Sequence, residues 1–356
     1  MSFEEQKKAG TPYNRKYRSL MSQELQSDSL PAIEFNSYNF NHDEWDHSRQ
    51  KLQQHLASKT RFRYRQTLSF GPSPGPRQPL NQLPDTFSPA AQHQTVYSFR
   101  FKTSKTYLQT LFPTEQFSFF TPGTVAQASF VCCSLKNMVW LGDTGYEHCG
   151  LYIHGVQYVK KDGSKVQGTF LPMLFENLND PIVTGREELG APKWGADINI
   201  SGSEGSKKIT LGWRGTVFGE LDFAELGAAD AETKVMPKPS PDDGMLMYRY
   251  VPAVGEPGKA DAEYAVFDPY VAGGKLAAAT ETQTGHGEDA ETKASKPMKL
   301  VAKKASVKFQ PRSWKELPTV HHIAQGLAEV PVYEVLEATV EEVPTVGDVR
   351  GARRIE

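Results

Sequence analysis

From Thr95 onward the sequence alternates apolar and polar residues with a period of two. Tyr97, Phe99 and Phe101 would face one side of a strand, whereas the residues between them are polar. This alternation is typical of a strand with one buried face. Further strand-length runs are expected at about 128–141, 145–159, 166–175, 196–201, 208–223, 245–252, 264–271 and 332–343. So many strands in close succession predict a curved, mostly antiparallel sheet or a barrel.

The remaining segments predict a few short helices and two polar insertions. Residues 1–70 form an expected N-terminal extension with one helix near 42–57, because Asn41 and Glu44 can cap its first turn. The main domain is expected over 71–350. Two segments at about 225–244 and 272–305 are rich in Ala, Glu, Thr, Lys, Gly and Pro, which predicts flexible surface insertions.

The overall charge argues against two classes of partner. The chain has 40 basic and 42 acidic side chains, so no basic field is available for nucleic acid. No apolar run is long enough to span a membrane, and the first residues lack the apolar stretch of a signal peptide. We therefore expect a soluble, cytoplasmic protein with neither a nucleic-acid nor a membrane partner.

The cysteines and histidines do not predict a metal site. Cys132, Cys133 and Cys149 include no CxxC pair, and their odd number argues against a disulfide framework. We interpret all three as small, buried apolar residues. The histidines lack ligand spacing to any cysteine or carboxylate, so no metal is expected.

A glycine-rich stretch, Gly185–Gly195, presents one lysine beside an aromatic ring. Its three glycines and Pro192 predict turns rather than a regular element. Lys193 precedes Trp194, and poor solvation next to an indole would lower the pKa of the lysine. A neutral amine at this place indicates the chemistry of carbonyl attack.

The run from Leu174 to Lys193 resembles the signature of the acetoacetate decarboxylase family. In that signature a strand leads into Gly-Arg-Glu, then a short spacer, then Pro-Lys. Similarity extends from about Thr95 to Val343. The resemblance implies a mainly β (α+β) fold, with a large curved antiparallel sheet closing into a cone-like barrel and few short helices. It also implies that Lys193 forms a Schiff base, that no external cofactor is needed, and that the protein is a homo-oligomer.

Departures from the family pattern affect the other expected site residues. The family often has a second lysine where this chain has Trp194, so burial would have to lower the pKa of Lys193. The acidic residue that follows a tyrosine in the family falls on Glu147 or His148. Either residue would act as a catalytic acid or base, or would only form structural hydrogen bonds. A family arginine falls near Gln94. Arg100 has the same strand parity and would either hold a substrate carboxylate or lie on the surface of the first strand.

Three further residues are candidate substrate contacts. Arg186 and Glu187 would touch substrate or form an ion pair that fixes the loop. Trp194 would pack, bind substrate, or do both.

These features predict a cofactor-free carboxy-lyase that decarboxylates a small β-keto acid through a Schiff base on Lys193. The substrate would be larger or less polar than acetoacetate, for example in a secondary-metabolite (polyketide or toxin) pathway. One alternative is a Schiff-base aldolase or dehydratase acting on a keto acid. Another is a non-enzymatic barrel that binds a carbonyl compound.

Overall fold

The computed structural model describes residues 65–66, 92–228, 237–269, 299–343 and 351–356. The chain divides into two units, residues 1–62 and 63–356, and all of the described residues belong to the second. The helix expected near 42–57 lies outside the described residues. No helix in the described ranges has the length and apolar character needed to cross a membrane.

Within the described residues, 14 strands form one sheet, with few helices. The strands are His93–Ser104 (β1), Phe117–Phe119 (β2), Val125–Met138 (β3), Thr144–Val159 (β4), Lys165–Glu176 (β5), Lys193–Gly195 (β6), Asp197–Ser203 (β7), Ser206–Trp213 (β8), Thr216–Ala228 (β9), Gly244–Pro252 (β10), Ala260–Pro269 (β11), Lys299–Phe309 (β12), Glu334–Val343 (β13) and Arg353–Ile355 (β14). The helices are Lys105–Gln109 (α1), Asn179–Thr184 (α2) and His321–Glu329 (α3), with a 3₁₀ turn at Val139–Leu141 and a π-helical turn at Gly185–Leu189, here called the π turn.

The sheet is large and mixed, and it does not close into the expected barrel. Its strand order is β14-β11-β10-β5-β4-β3-β1-β13-β12-β9-β8-β7, with β2 beside β4 and β6 beside β5. Most neighbours are antiparallel, but β5 pairs in parallel with both β10 and β6. A closed barrel needs a ladder between the two end strands, and β14 and β7 do not pair. The prediction of a cone-like barrel is therefore not confirmed.

The alternation in β1 places its aromatic side chains in the main core, as predicted. Tyr97, Phe99 and Phe101 are buried, and Phe101 stacks on Phe130 of β3 with ring centroids 5.4 Å apart. Burial of aromatic rings contributes strongly to stability because each ring removes a large apolar area from water. This face of the sheet is filled by apolar residues from most strands.

Two segments differ from the sequence prediction. The single strand expected at 208–223 is the hairpin β8–β9, which turns at Arg214 and Gly215, where Gly215 has a φ of 86°. The ends of the expected insertions are also regular structure, since β9 continues to Ala228 and pairs there with β12. β12 was not predicted as a strand because its exposed lysines give it a polar composition. Residues 229–236 and 270–298 lie outside the described residues.

Two of the cysteines form a disulfide, contrary to the sequence prediction. Cys132 on β3 lies directly opposite Cys149 on β4, and their sulfur atoms are bonded. The sequence separation of 17 gave no sign of this pairing, which depends on the register of the two strands. Cys133 is free and buried, and burial raises the pKa of its thiol to about 12.

Candidate active site

Lys193 lies on a short buried strand rather than on a loop. β6 pairs in parallel with the end of β5, so that Lys193 stands opposite Leu174 and Gly195 opposite Glu176. The stretch Gly185–Gly195, predicted to form turns, instead contains the π turn and β6, and the π turn directly follows α2. Only 9% of the Lys193 surface is exposed. Its Nζ lies 2.7 Å from Glu176 Oε1 and donates to the carbonyl oxygen of Pro181 at 3.1 Å.

The π turn packs directly against the lysine side chain. A Cβ placed on Gly185 would lie 2.3 Å from both Cδ and Cε of Lys193, so only glycine leaves room for the side chain. Arg186 Nη1 donates to the carbonyl oxygen of Lys193 at 2.9 Å, and the amide of Ala191 donates to the carbonyl oxygen of Gly185 at 3.0 Å. The turn therefore fixes both the side chain and the backbone of Lys193.

Glu176 is a buried carboxylate with a raised pKa. Burial raises its pKa, and the positive charge of Lys193 opposes that rise. Only 1% of its side chain is exposed. Transfer of a proton from Lys193 to Glu176 would give a neutral amine and a neutral acid, and the raised pKa of Glu176 makes its carboxylate a better proton acceptor than an exposed one. This pair can therefore supply a nucleophilic amine without a second lysine.

His148 faces this pair from the adjacent strand. It stands opposite Glu176 in the β4–β5 ladder. Burial, and then the positive charge of Lys193, lower the pKa of His148 to about 3, so its ring is neutral at neutral pH. Its Nδ1 is buried and has no hydrogen-bond partner among the described residues. A buried nitrogen of this kind can bind a polar group of a substrate.

Tyr146 lies beside His148 on the same side of β4. The two ring centroids are 6.4 Å apart. Burial, followed by the negative charge of Glu176, raises the pKa of the tyrosine hydroxyl. The hydroxyl therefore keeps its proton at neutral pH.

Two of the predicted site residues are engaged elsewhere. Glu147 points to the other face of β4, where its carboxylate accepts hydrogen bonds from Ser134 Oγ at 3.1 Å and from the side-chain amide Nδ2 of Asn177. Arg100 is buried rather than on the surface, and its guanidinium lies 3.0 Å from Glu337. The structure brings His148, but neither Glu147 nor Arg100, to Lys193.

The indole of Trp194 does not lie over the Lys193 amine. Successive side chains on a strand point to opposite faces, so Trp194 lies on the other side of β6 from Lys193. Its residue surface is 38% exposed, and its ring lies 5.8 Å from the guanidinium carbon of Arg186. Glu187 is exposed, and in the described part of the chain it forms no ion pair with Arg186. Arg186 instead fixes the backbone of Lys193.

Sequence reasoning missed Glu176 as a site residue. It is the one charged residue in the otherwise apolar run Phe170–Glu176, immediately before the segment that carries Lys193. A charged residue in an apolar strand run is uncommon, so this pattern could have indicated Glu176 as a functional residue. No cluster of three or more His, Cys, Asp or Glu side chains in the described ranges is arranged to hold a metal ion.

Comparison with known proteins identifies the family. The model of the acetoacetate decarboxylase family matches residues 72–288, which is more than half of the chain. No curated protein matches significantly.

Similar solved structures include three enzymes. Acetoacetate decarboxylase from Legionella pneumophila subsp. pneumophila str. Philadelphia 1 is 13% identical, covers 78% of this chain and 92% of its own, and has a TM-score of 0.45. An acetoacetate decarboxylase-like enzyme from Sphingomonas wittichii RW1 is 13% identical, covers 74% of this chain and 92% of its own, and has a TM-score of 0.45. The enduracididine biosynthesis enzyme MppR, complexed with pyruvate, is 11% identical, covers 79% of this chain and 96% of its own, and has a TM-score of 0.45. On the evidence of the family model, this chain belongs to the acetoacetate decarboxylase family.

Proposed function

We propose that this protein decarboxylates a β-keto acid through a Schiff base on Lys193, without an external cofactor. Family membership supports an enzyme with Schiff-base chemistry of the decarboxylase or aldolase type. The observation that carries the proposal is the buried Lys193 Nζ, 2.7 Å from Glu176 Oε1. The pair provides both the nucleophile and a group that can receive its proton.

The reaction begins with proton transfer inside the pair. Glu176 takes a proton from the Lys193 ammonium, and the neutral amine attacks the keto carbon of the substrate. The resulting carbinolamine loses water and becomes an iminium ion. A raised pKa makes Glu176 a stronger base than an exposed carboxylate, and the acid so formed can return the proton to the departing hydroxyl.

Decarboxylation then uses the iminium as an electron sink. The bond between the carboxylate carbon and the α-carbon breaks, carbon dioxide leaves, and the electron pair moves toward the positive nitrogen to give an enamine. Protonation of the α-carbon and hydrolysis release the ketone and free Lys193. The low-dielectric surroundings strengthen the attraction between the iminium charge and the developing carbanion.

His148 would orient the substrate rather than donate a proton at neutral pH. A ring with a pKa of about 3 stays neutral, so its buried Nδ1 can make one directional hydrogen bond to the substrate. The identity of the β-keto acid, the secondary-metabolite pathway and homo-oligomer formation stay predictions.

The proposal is tested by release of carbon dioxide from acetoacetate and from β-keto acids with longer or aromatic tails. We expect Lys193→Met to abolish release and Glu176→Gln to lower it about 100-fold, as loss of a general base does. Lys105→Met is the matched control. Lys105 is also buried and its pKa is lowered by burial, but its Nζ donates to Thr121 and to the carbonyl oxygen of Pro122 at 3.0 Å. This control should retain the activity of the wild type.

Other outcomes would contradict the proposal. Decarboxylation by the Lys193→Met variant at the wild-type rate would show that the reaction does not proceed through a Schiff base on Lys193. Consumption of keto acids with formation of aldol or dehydration products, but without carbon dioxide, would favour the aldolase or dehydratase. Equal binding of a keto acid by wild type and Lys193→Met, with no turnover by either, would favour the non-enzymatic binding protein.

A further inference from the structure

Arg65 contacts both sides of the turn that holds Lys193, although it precedes the region matched by the family model. Its Nη1 donates to Thr184 Oγ1 at 2.6 Å. Its Nε lies 3.7 Å from Glu188 Oε1, and the Arg65 and Glu188 side chains are only 9% and 4% exposed. Thr184 ends α2 and Glu188 belongs to the π turn. One guanidinium thus joins the two residues that flank Gly185, Arg186 and Glu187.

The burial of this ion pair indicates that it constrains the turn. Arginine and glutamate are almost never fully buried unless they are paired, and breaking a buried ion pair is strongly destabilising. The planar guanidinium donates a hydrogen bond to Thr184 while its charge lies near Glu188, a fixed geometry that an ammonium group does not reproduce. Movement of Thr184 relative to Glu188 would therefore break at least one of these interactions.

The same turn determines where the Lys193 amine lies. Gly185 packs against the lysine side chain, and Arg186 holds the lysine carbonyl oxygen at 2.9 Å. A shift of the turn would displace the nitrogen from Glu176 Oε1, its partner at 2.7 Å. Small displacements of a reacting group are known to reduce rates by as much as about 100-fold.

We propose that Arg65 is a positioning residue, which fixes the Lys193 amine against Glu176 by bridging Thr184 and Glu188. This inference rests on the proposed function, because Arg65 would position the amine that forms the imine. Arg65 acts through the turn and is not placed in contact with substrate. Arg65 would then support catalysis although it precedes residues 72–288, the region that the family model matches.

The first test measures the turn itself and needs no activity. Hydrogen–deuterium exchange of the full-length protein would follow the amides of Ala191 and Lys193, which donate to carbonyl oxygens of this segment. We expect Arg65→Met to accelerate their exchange at least tenfold and Arg65→Lys to accelerate it less. Arg312→Met is the matched control, because Arg312 is an arginine that donates to the carbonyl oxygen of Val217 and to Gln310. Exchange of the two amides at the wild-type rate in Arg65→Met would overturn the inference.

The second test separates positioning from simple stabilisation. We expect Arg65→Met to lower kcat at least tenfold with little change in KM, and Arg65→Lys to recover part of the loss. The double variant Arg65→Met/Glu188→Gln removes the Glu188 charge together with its Arg65 partner and should recover thermal stability but not kcat. Recovery of both would show that Arg65 only stabilises the fold.

The two proposals fail in different ways. Wild-type protein that releases no carbon dioxide and forms no imine would end the proposed function, and the exchange experiment would still decide whether Arg65 holds the turn. Active wild-type protein whose kcat is unchanged in a folded Arg65→Met variant would end the Arg65 inference alone.

Discussion

At the scale of single residues, Lys193 and Glu176 form a charge pair that the fold keeps away from water. Desolvation of two charges is costly, and their mutual attraction at 2.7 Å offsets part of that cost. Such a pair is weak evidence for stability, so its burial is better explained by chemistry. The raised pKa of Glu176 places its proton affinity closer to that of the amine, which is what proton exchange between them requires.

The lowered pKa of His148 predicts a loss of stability in acid. Between about pH 6.5 and about pH 3, the unfolded chain binds a proton at His148 and the folded chain does not. Acidification through this window therefore favours unfolding, by at most about 1.4 kcal/mol per pH unit from this residue. Melting temperatures measured from pH 7 to pH 4 should fall less steeply for His148→Gln than for the wild type.

An exposed histidine provides the control for this measurement. His322 is exposed, and His322→Gln should leave the slope of the wild type unchanged. Identical slopes for wild type and His148→Gln would contradict a lowered pKa at His148.

At the scale of elements, the site depends on the close approach of the π turn to β6. Gly185→Ala would place a methyl group 2.3 Å from Lys193 Cδ and 2.8 Å from Nζ, so the amine must leave its position beside Glu176. We expect carbon dioxide release to fall at least tenfold, since the reacting nitrogen would be misplaced. Steady-state assays with acetoacetate and longer β-keto acids would measure the change.

Gly195→Ala is the matched control on the same strand. A Cβ at Gly195 would meet only Ile182 Cδ1, at an ordinary contact distance of 3.7 Å. This variant should keep most of the activity, and both variants should remain folded by circular dichroism. Equal activity in Gly185→Ala and Gly195→Ala would contradict the account of the turn.

At the scale of the whole molecule, the sequence predicted the parts that depend on local pattern. Period-two alternation located β1, strand-length runs located most of the other strands, and the motif around Lys193 indicated the family. Features that depend on strand register were missed. Glu176 meets Lys193 only because β6 pairs with the end of β5, and Cys132 meets Cys149 only because β3 and β4 align there. The open strand order is likewise a property of pairing between distant segments.

Schiff-base formation on Lys193 is tested most directly by borohydride reduction of the protein in the presence of a β-keto acid substrate, followed by peptide mass analysis. We expect a reduced adduct on the peptide that contains Lys193. We expect no adduct on the peptide that contains Lys105, which is similarly buried but has no carboxylate beside its amine among the described residues. Turnover of substrate with an unmodified Lys193 peptide, or with the adduct on Lys105, would contradict Schiff-base formation on Lys193.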